Sequence, residues 1–164
     1  MASQFAYQFT KEIAPFVDYV IDFHTGGSKR ENMAQIRCSK DDEKVLELAK
    51  VFNPSIIAFS NHITKSWRDT LCKMGKNVLL FVGEKSKELN PTITNERLHG
   101  TKNVRIRLGV VEGKIAVRET PVFIEKTKWL RASHSGMFKI KVANGSFIRK
   151  KNELRCATRS FSRI

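Results

Sequence analysis

Val17-Asp18-Tyr19-Val20-Ile21-Asp22-Phe23-His24-Thr25-Gly26-Gly27 is the stretch on which the reading of this chain turns. An apolar run of strand length ends in an imidazole, a hydroxyl and two glycines. In open α/β sheets, ligands bind just beyond the carboxyl ends of strands, where the chain leaves the pleat. Asp22 and His24 are two residues apart, so a strand places both on one face. A carboxylate beside an imidazole fixes its tautomer and raises its basicity, an arrangement common around metal-ligating histidines. The same residues also suit a plain strand end with a satisfied histidine and a Gly-Gly turn, and the spacing leaves both readings open.

Outward from this stretch the elements alternate. Helical spacing of Phe5, Phe9 and Ile13 predicts a helix over 4–14, stopped by Pro15. After the strand at 17–24 and a polar loop at 25–34, residues 35–38 read as a short strand. Ser39 reads as the N-cap of a helix with Asp41, Asp42 and Glu43 in its first turn, running to Phe52. Strands are expected at 55–60 and 77–82. Between them lies a helix at 64–74 that ends at Gly75, a usual C′ residue. Pro91 opens a long helix to Leu108, with Gly109 as its stop. This βαβα order with continuously apolar strands predicts an α/β fold, a mainly parallel or mixed sheet flanked by helices.

After Gly109 the character changes to short β-like segments at 110–111, 115–117 and 122–124. Residues 129–164 then read as a small β module, with an Asn144-Gly145 turn joining 138–142 to 147–148. The expected organisation is an α/β domain over 1–109, a β-rich connector over 110–128 and the β module over 129–164.

Composition narrows the class. The 164 residues are 41% hydrophobic and 28% charged, the profile of a globular chain with a real core. No apolar run approaches the ~20 residues that span a bilayer. The three cysteines, Cys38, Cys72 and Cys156, are widely spaced and fit a reducing cytoplasm, not a disulfide framework. The net charge of +14 is uneven: residues 1–82 hold 11 Lys and Arg against 9 acidic residues, and residues 83–164 hold 19 against 7. Such a field attracts polyanions. It is dispersed through elements with apolar alternation, so a solvated basic face is read in preference to a nucleic-acid site.

Several of these segments resemble, in order, the succinylglutamate desuccinylase/aspartoacylase family. They are Phe5-Ala6-Tyr7-Gln8-Phe9, Asp22-Phe23-His24-Thr25-Gly26-Gly27, Gln35-Ile36-Arg37, Ser66-Trp67-Arg68 and Leu79-Leu80-Phe81. Trp129-Leu130-Arg131-Ala132-Ser133-His134-Ser135-Gly136-Met137-Phe138 and Asn144-Gly145 follow, so the resemblance covers nearly all of the chain. It implies a zinc-carboxypeptidase-like α/β domain with a small β domain after it. The implied activity is zinc-dependent hydrolysis of an N-acyl amide, or an ester, on a small carboxylate substrate such as an N-acyl amino acid. In such a site two His and one Glu hold zinc and leave a position for water, while a separate glutamate moves the proton. By the resemblance His24 is a zinc ligand and Asp22 its partner. Thr25 and Gly26 shape the substrate loop, and Arg68 grips the substrate carboxylate as a bidentate pair.

The chain also departs from that family. The His-x-x-Glu pair of ligands is absent: His62, His99 and His134 have no glutamate three residues later. Val82 stands where the proton-moving glutamate is expected, in Phe81-Val82-Gly83-Glu84-Lys85-Ser86. Glu84 is a weak substitute, read as a surface residue paired with Lys85 or Lys87. Asn152 replaces a turn glycine, and both ends read as incomplete. The expectation is a deacylase portion that is inactive alone or needs a missing N-terminal segment. The alternatives are a non-catalytic carboxylate-binding descendant and a basic nucleic-acid-binding protein.

Overall fold

The computed structural model describes residues 2–27, 30–131, 135–148 and 155–158. Helix α1 (Ala2–Glu12) gives way at Pro15 to a 3-10 turn (Ala14–Phe16), and strand β1 (Tyr19–Gly26) follows. Next come β2 (Asn32–Cys38), α2 (Glu43–Phe52), β3 (Ile56–Phe59), α3 (Trp67–Lys73), β4 (Asn77–Lys85) and α4 (Pro91–Arg107). Strand β5 (Val122–Ile124) completes a five-stranded sheet of order β1-β4-β2-β3-β5. Three of its ladders are parallel and β2–β4 is antiparallel, so the sheet is mixed, as the alternation of elements predicts.

Local chemistry sets the helix ends. Asp42, not Ser39, caps α2: its Oδ1 accepts the Val45 N–H at 3.1 Å, while Ser39 Oγ only accepts the Asp41 N–H in the preceding turn. Both residue types cap helices, and the two side chains lie close enough in sequence to compete. Ser66 Oγ caps α3 through the Asp69 N–H, and Gly75 follows it at φ +77, the left-handed conformation glycine adopts freely. Asn90 caps α4 through Thr92 and Ile93, with Pro91 at the first helical position.

The sheet presents two unlike faces because side chains alternate along each strand. One face carries Ala34, Ile36, Cys38, Ile57, Leu79 and Phe81, and it packs against Val45, Leu48, Ala49 and Phe52 of α2 and Ile93 and Val104 of α4. The Phe81 ring meets those of Phe23 and Phe52 in tilted contacts, with centroids 5.7 and 5.6 Å away. At Gly100 of α4 an added Cβ would collide with the Phe52 ring, so glycine is what lets α2 and α4 approach. The other face starts with a smaller cluster of Ala14, Leu71 and Val78, flanked by Val20, Trp67 and Cys72. Phe9 of α1 meets the Trp67 ring edge-on at 5.0 Å, joining α1 to α3.

Of the β-like segments expected between 110 and 126, only 122–124 forms a strand. The residues before it are tied down instead by two asparagine amides that mimic a backbone ladder. Asn103 exchanges two hydrogen bonds with the Ala116 backbone, at 2.8 and 3.0 Å, and Asn53 bonds Glu119 O and Arg118 N.

The chain divides into two units, Met1–Lys126 and Thr127–Ile164. In the second, β6 (Met137–Ile140) pairs antiparallel with β7 (Arg155–Thr158). Residues 147–148, expected as the hairpin partner, are not a strand; the ladder of β6 is taken by Arg155–Thr158. His134, Asn152 and residues 159–164 lie outside the described residues. Among the described residues, no helix is long and apolar enough to cross a membrane.

Candidate functional site

The second face of the sheet becomes polar toward the carboxyl end of β1. On β1, Val20 is followed on that face by Asp22 and His24, whose ladder partners on β4 are Leu80 and Val82. Leu80 and Val82 in turn pair with Arg37 and Gln35 of β2. Two polar columns therefore flank a pair of buried aliphatic residues: Asp22 and His24 on one side, Arg37 and Gln35 on the other. Ladder spacing sets the columns about 10 Å apart.

His24 Nε2 lies 3.0 Å from Asp22 Oδ2. With Nε2–H donating to the carboxylate, the lone pair on Nδ1 is left for a ligand. Both strands break register at this level. The β1–β4 ladder shifts between His24 and Gly26, and Glu84 takes a left-handed φ of +66°. Thr25 is exposed in this irregularity, whereas Gly26 is buried against the Arg30 carbonyl and the Asn32 side chain. A Cβ at position 26 would collide with the Arg30 carbonyl oxygen, which explains the glycine.

Arg68 reaches this face from the first turn of α3. It is 9% exposed, and its Nε is buried without a hydrogen-bond partner. Burial pushes its guanidinium below the usual value; the nearby Asp22 carboxylate opposes that, and the Arg37 charge reinforces it. Arg68 is therefore a buried cation rather than one on the solvent side of α3. Arg37 was not singled out as a functional residue by its sequence, yet it faces the same side. Its Nε donates to Gln35 Oε1 at 3.2 Å. The available signal was polar alternation, Gln35 and Arg37 between the buried Ala34, Ile36 and Cys38 of a central strand.

One helical turn beyond Arg68, the Cys72 thiol lies 3.4 Å from His62 Nε2. Burial raises the pKa of Cys72, which keeps it a thiol rather than a nucleophilic thiolate.

Glu84 differs most from its sequence reading. It is 2% exposed and does not pair with Lys85 or Lys87. Its Oε2 bonds Arg97 at 2.8 Å, and its Oε1 accepts the Asn90 N–H at 2.9 Å and the Thr94 hydroxyl. Arg97 itself lies over the Phe81 ring, 5.1 Å from its centroid. The left-handed turn at Glu84 hands its carboxylate to the start of α4, and Lys85 pairs with Glu88 instead.

The donor set at His24 is one imidazole with its carboxylate partner. A hydrolytic zinc site takes three protein donors. Among the described residues, no three His, Cys, Asp or Glu side chains converge in this way, so these residues alone do not fit a zinc ion.

No protein-family model matches the sequence, and no curated protein is significantly similar to it. Solved structures of the succinylglutamate desuccinylase/aspartoacylase family share its fold. The apo ectoine utilization protein EutE (DoeB) from Ruegeria pomeroyi superposes with a TM-score of 0.83 at 18% identity, over 97% of this chain and 54% of its own. A succinylglutamate desuccinylase from a Silicibacter species gives 0.81 at 18% identity, over 96% and 51%. An aspartoacylase family protein from Mesorhizobium loti gives 0.77 at 20% identity, over 98% and 56%. The chain thus spans about half the length of the solved structures it matches.

Proposed function

We propose that this chain carries the carboxylate-binding part of a deacylase-type hydrolase site. Its ligand is a small N-acyl amino acid or a related carboxylate, gripped by Arg68 beside the Asp22–His24 pair. The observation that carries this reading is the buried Arg68 guanidinium, whose unpartnered Nε sits on the same sheet face as that pair. A buried donor without a partner costs about 1–3 kcal/mol, which a bound carboxylate recovers as a charge-assisted hydrogen bond. The shared fold of the deacylase structures supports the same choice. Thr25 and Gly26 would border the ligand at the end of β1.

Zinc enters this reading only through donors beyond those described. His24, oriented by Asp22, would offer Nδ1 as one of them, and a bound zinc would supply carbonyl polarisation and an activated water. Among the described residues, those on this face would supply binding rather than proton transfer. Val82 has no titratable group, and both oxygens of Glu84 are engaged at the start of α4. That engagement favours a chain that binds carboxylates without hydrolysing them unaided. The Cys38 and Cys72 thiols, both free, suit a reducing cytoplasm as its location.

Calorimetric titration with N-acetyl amino acids tests the reading. Saturable binding that Arg68→Met weakens at least about tenfold is expected from loss of a charged hydrogen bond. Equal affinities for the two proteins would refute it. Stoichiometric, tight zinc binding by the isolated 164-residue chain would refute the incomplete donor set.

A further inference from the structure

The positive charge of this chain is concentrated in its second unit. Thr127–Ile164 holds ten Lys and Arg against the single Glu153, whereas Met1–Lys126 holds 20 against 15 acidic residues. A merely solvated basic face calls for the apolar residues interleaved with its cations to be buried. Here they stand in solvent. Trp129 is 72% exposed and Phe147 90% exposed, and Leu130, Met137 and Ile148 are exposed with them.

The exposed rings are set among cations. Trp129 lies in the irregular segment Lys128-Trp129-Leu130-Arg131, all of it exposed. Phe147 follows a tight turn in which the Ser146 N–H donates to the Ala143 carbonyl at 3.3 Å and Gly145 adopts φ +82, and Arg149-Lys150-Lys151 come next in the sequence. On β6, Met137 and Lys139 are two residues apart and share a face. Lys141 is exposed just beyond the strand end.

Cations neutralise phosphates, while an aromatic ring stacks on a base of any identity, because every base has a π-face. A duplex keeps those faces inside its own stack, so exposed rings suit an unpaired strand. A membrane surface is served instead by an amphipathic helix with one apolar and one basic face. The regular structure described in this unit consists of the strands β6 and β7. From this arrangement we infer that the second unit is a docking surface for single-stranded nucleic acid. Trp129 and Phe147 are its stacking platforms, and Lys128, Arg131, Lys139 and Lys141 are its phosphate contacts. This surface does not depend on the reading of Arg68.

The probes are fluorescein-labelled oligothymidylate and oligouridylate of about 20 nucleotides, long enough for one such module, titrated with the full chain and followed by fluorescence anisotropy. Saturable binding of at least one is expected, with log affinity falling against log salt at a slope of about −3 for four phosphate contacts. The tighter of the two shows whether the 2′-hydroxyl is read. Trp129→Ala and Phe147→Ala should each weaken binding at least about fivefold and leave the slope unchanged. The Lys128→Ala/Arg131→Ala double variant should flatten the slope by about one. Binding of a duplex of the same length should not respond to either aromatic substitution. Absence of binding to both oligonucleotides at low salt would overturn the inference. Affinities indifferent to both aromatic substitutions would also overturn it, since charge alone would then account for them. Binding to phosphatidylserine vesicles that Trp129→Ala weakens, with neither oligonucleotide bound, would assign the surface to a membrane instead. Circular dichroism checks folding. If Trp129→Ala does not fold, Trp129→Leu takes its place, keeping apolar bulk without a π-face, and the same loss is expected.

Discussion

The two faces of the central sheet are built from the same strands and do opposite work. On one, Ile36, Ile57, Leu79 and Phe81 meet α2 and α4 in a continuous apolar core. On the other, the residues in between carry Asp22, His24, Gln35 and Arg37, with Arg68 above them from α3. Period-two alternation thus lets one face pack α2 and α4 while the other carries polar side chains beside the smaller cluster of Ala14, Leu71 and Val78. Glu84 marks the crossing point. Its left-handed backbone takes a carboxylate out of the alternation and commits it to the start of α4.

Substitutions that respect this division should separate stability from binding. The largest effect is expected for Phe81→Ala, which removes a fully buried ring touching both Phe23 and Phe52. It should cost about 3–5 kcal/mol in urea denaturation. A loss below 1 kcal/mol would mean that the α2–α4 face is not the principal core.

Glu84→Leu comes next. It strands Arg97 in a buried setting and should cost about 3 kcal/mol, with ligand affinity unchanged. Loss of binding or turnover with full stability would instead make Glu84 part of the site and blur the two faces.

A smaller, pH-dependent effect belongs to Cys38, at the end of β2 on the packed face. Burial pushes its thiol up to about 11, from an ordinary 9.0, and Asp42 adds to the rise. The unfolded chain therefore loses this proton first as pH rises. The stability contributed by Cys38 is complete below about pH 9 and declines between pH 9 and 11, by on the order of 1–3 kcal/mol. Cys38→Ala should flatten that part of the stability profile measured by denaturation. An identical slope in both proteins would contradict the assignment.

The smallest change in stability is expected for His24→Ala, whose exposed side chain bonds Asp22 alone among the described residues. Less than about 1 kcal/mol should be lost. A larger loss would show that the polar face also supports the fold.

Much of this division was legible in the sequence. The apolar runs at 17–24, 55–60 and 77–82, with capped helices between them, were enough for an α/β sheet of mixed ladders. Asp22 and His24 fell together because two residues on one strand face need no tertiary information. Glu84 did not follow, because its placement depends on a left-handed φ at a non-glycine residue that only the neighbouring helix start stabilises. Arg37 was hidden for a different reason. Its place on the polar face comes from register with β4 and β1, a long-range relation that no spacing along the chain encodes. The hairpin expected at Asn144-Gly145 failed similarly, because a turn sequence says where the chain reverses and not which segment fills the ladder. Gly145 does adopt φ +82, so the local prediction held where the non-local one did not.

The role proposed for Arg68, whose Nε is buried and unpartnered, is to bind a carboxylate. Arginine Nε–H resonances of the isotope-labelled protein, followed by two-dimensional NMR during titration with N-acetylglutamate, report on it directly. The account predicts that one such resonance, identified by its loss in Arg68→Met, moves saturably with the ligand and not with added chloride. An Arg68 Nε–H signal that stays fixed while the ligand binds elsewhere would contradict it.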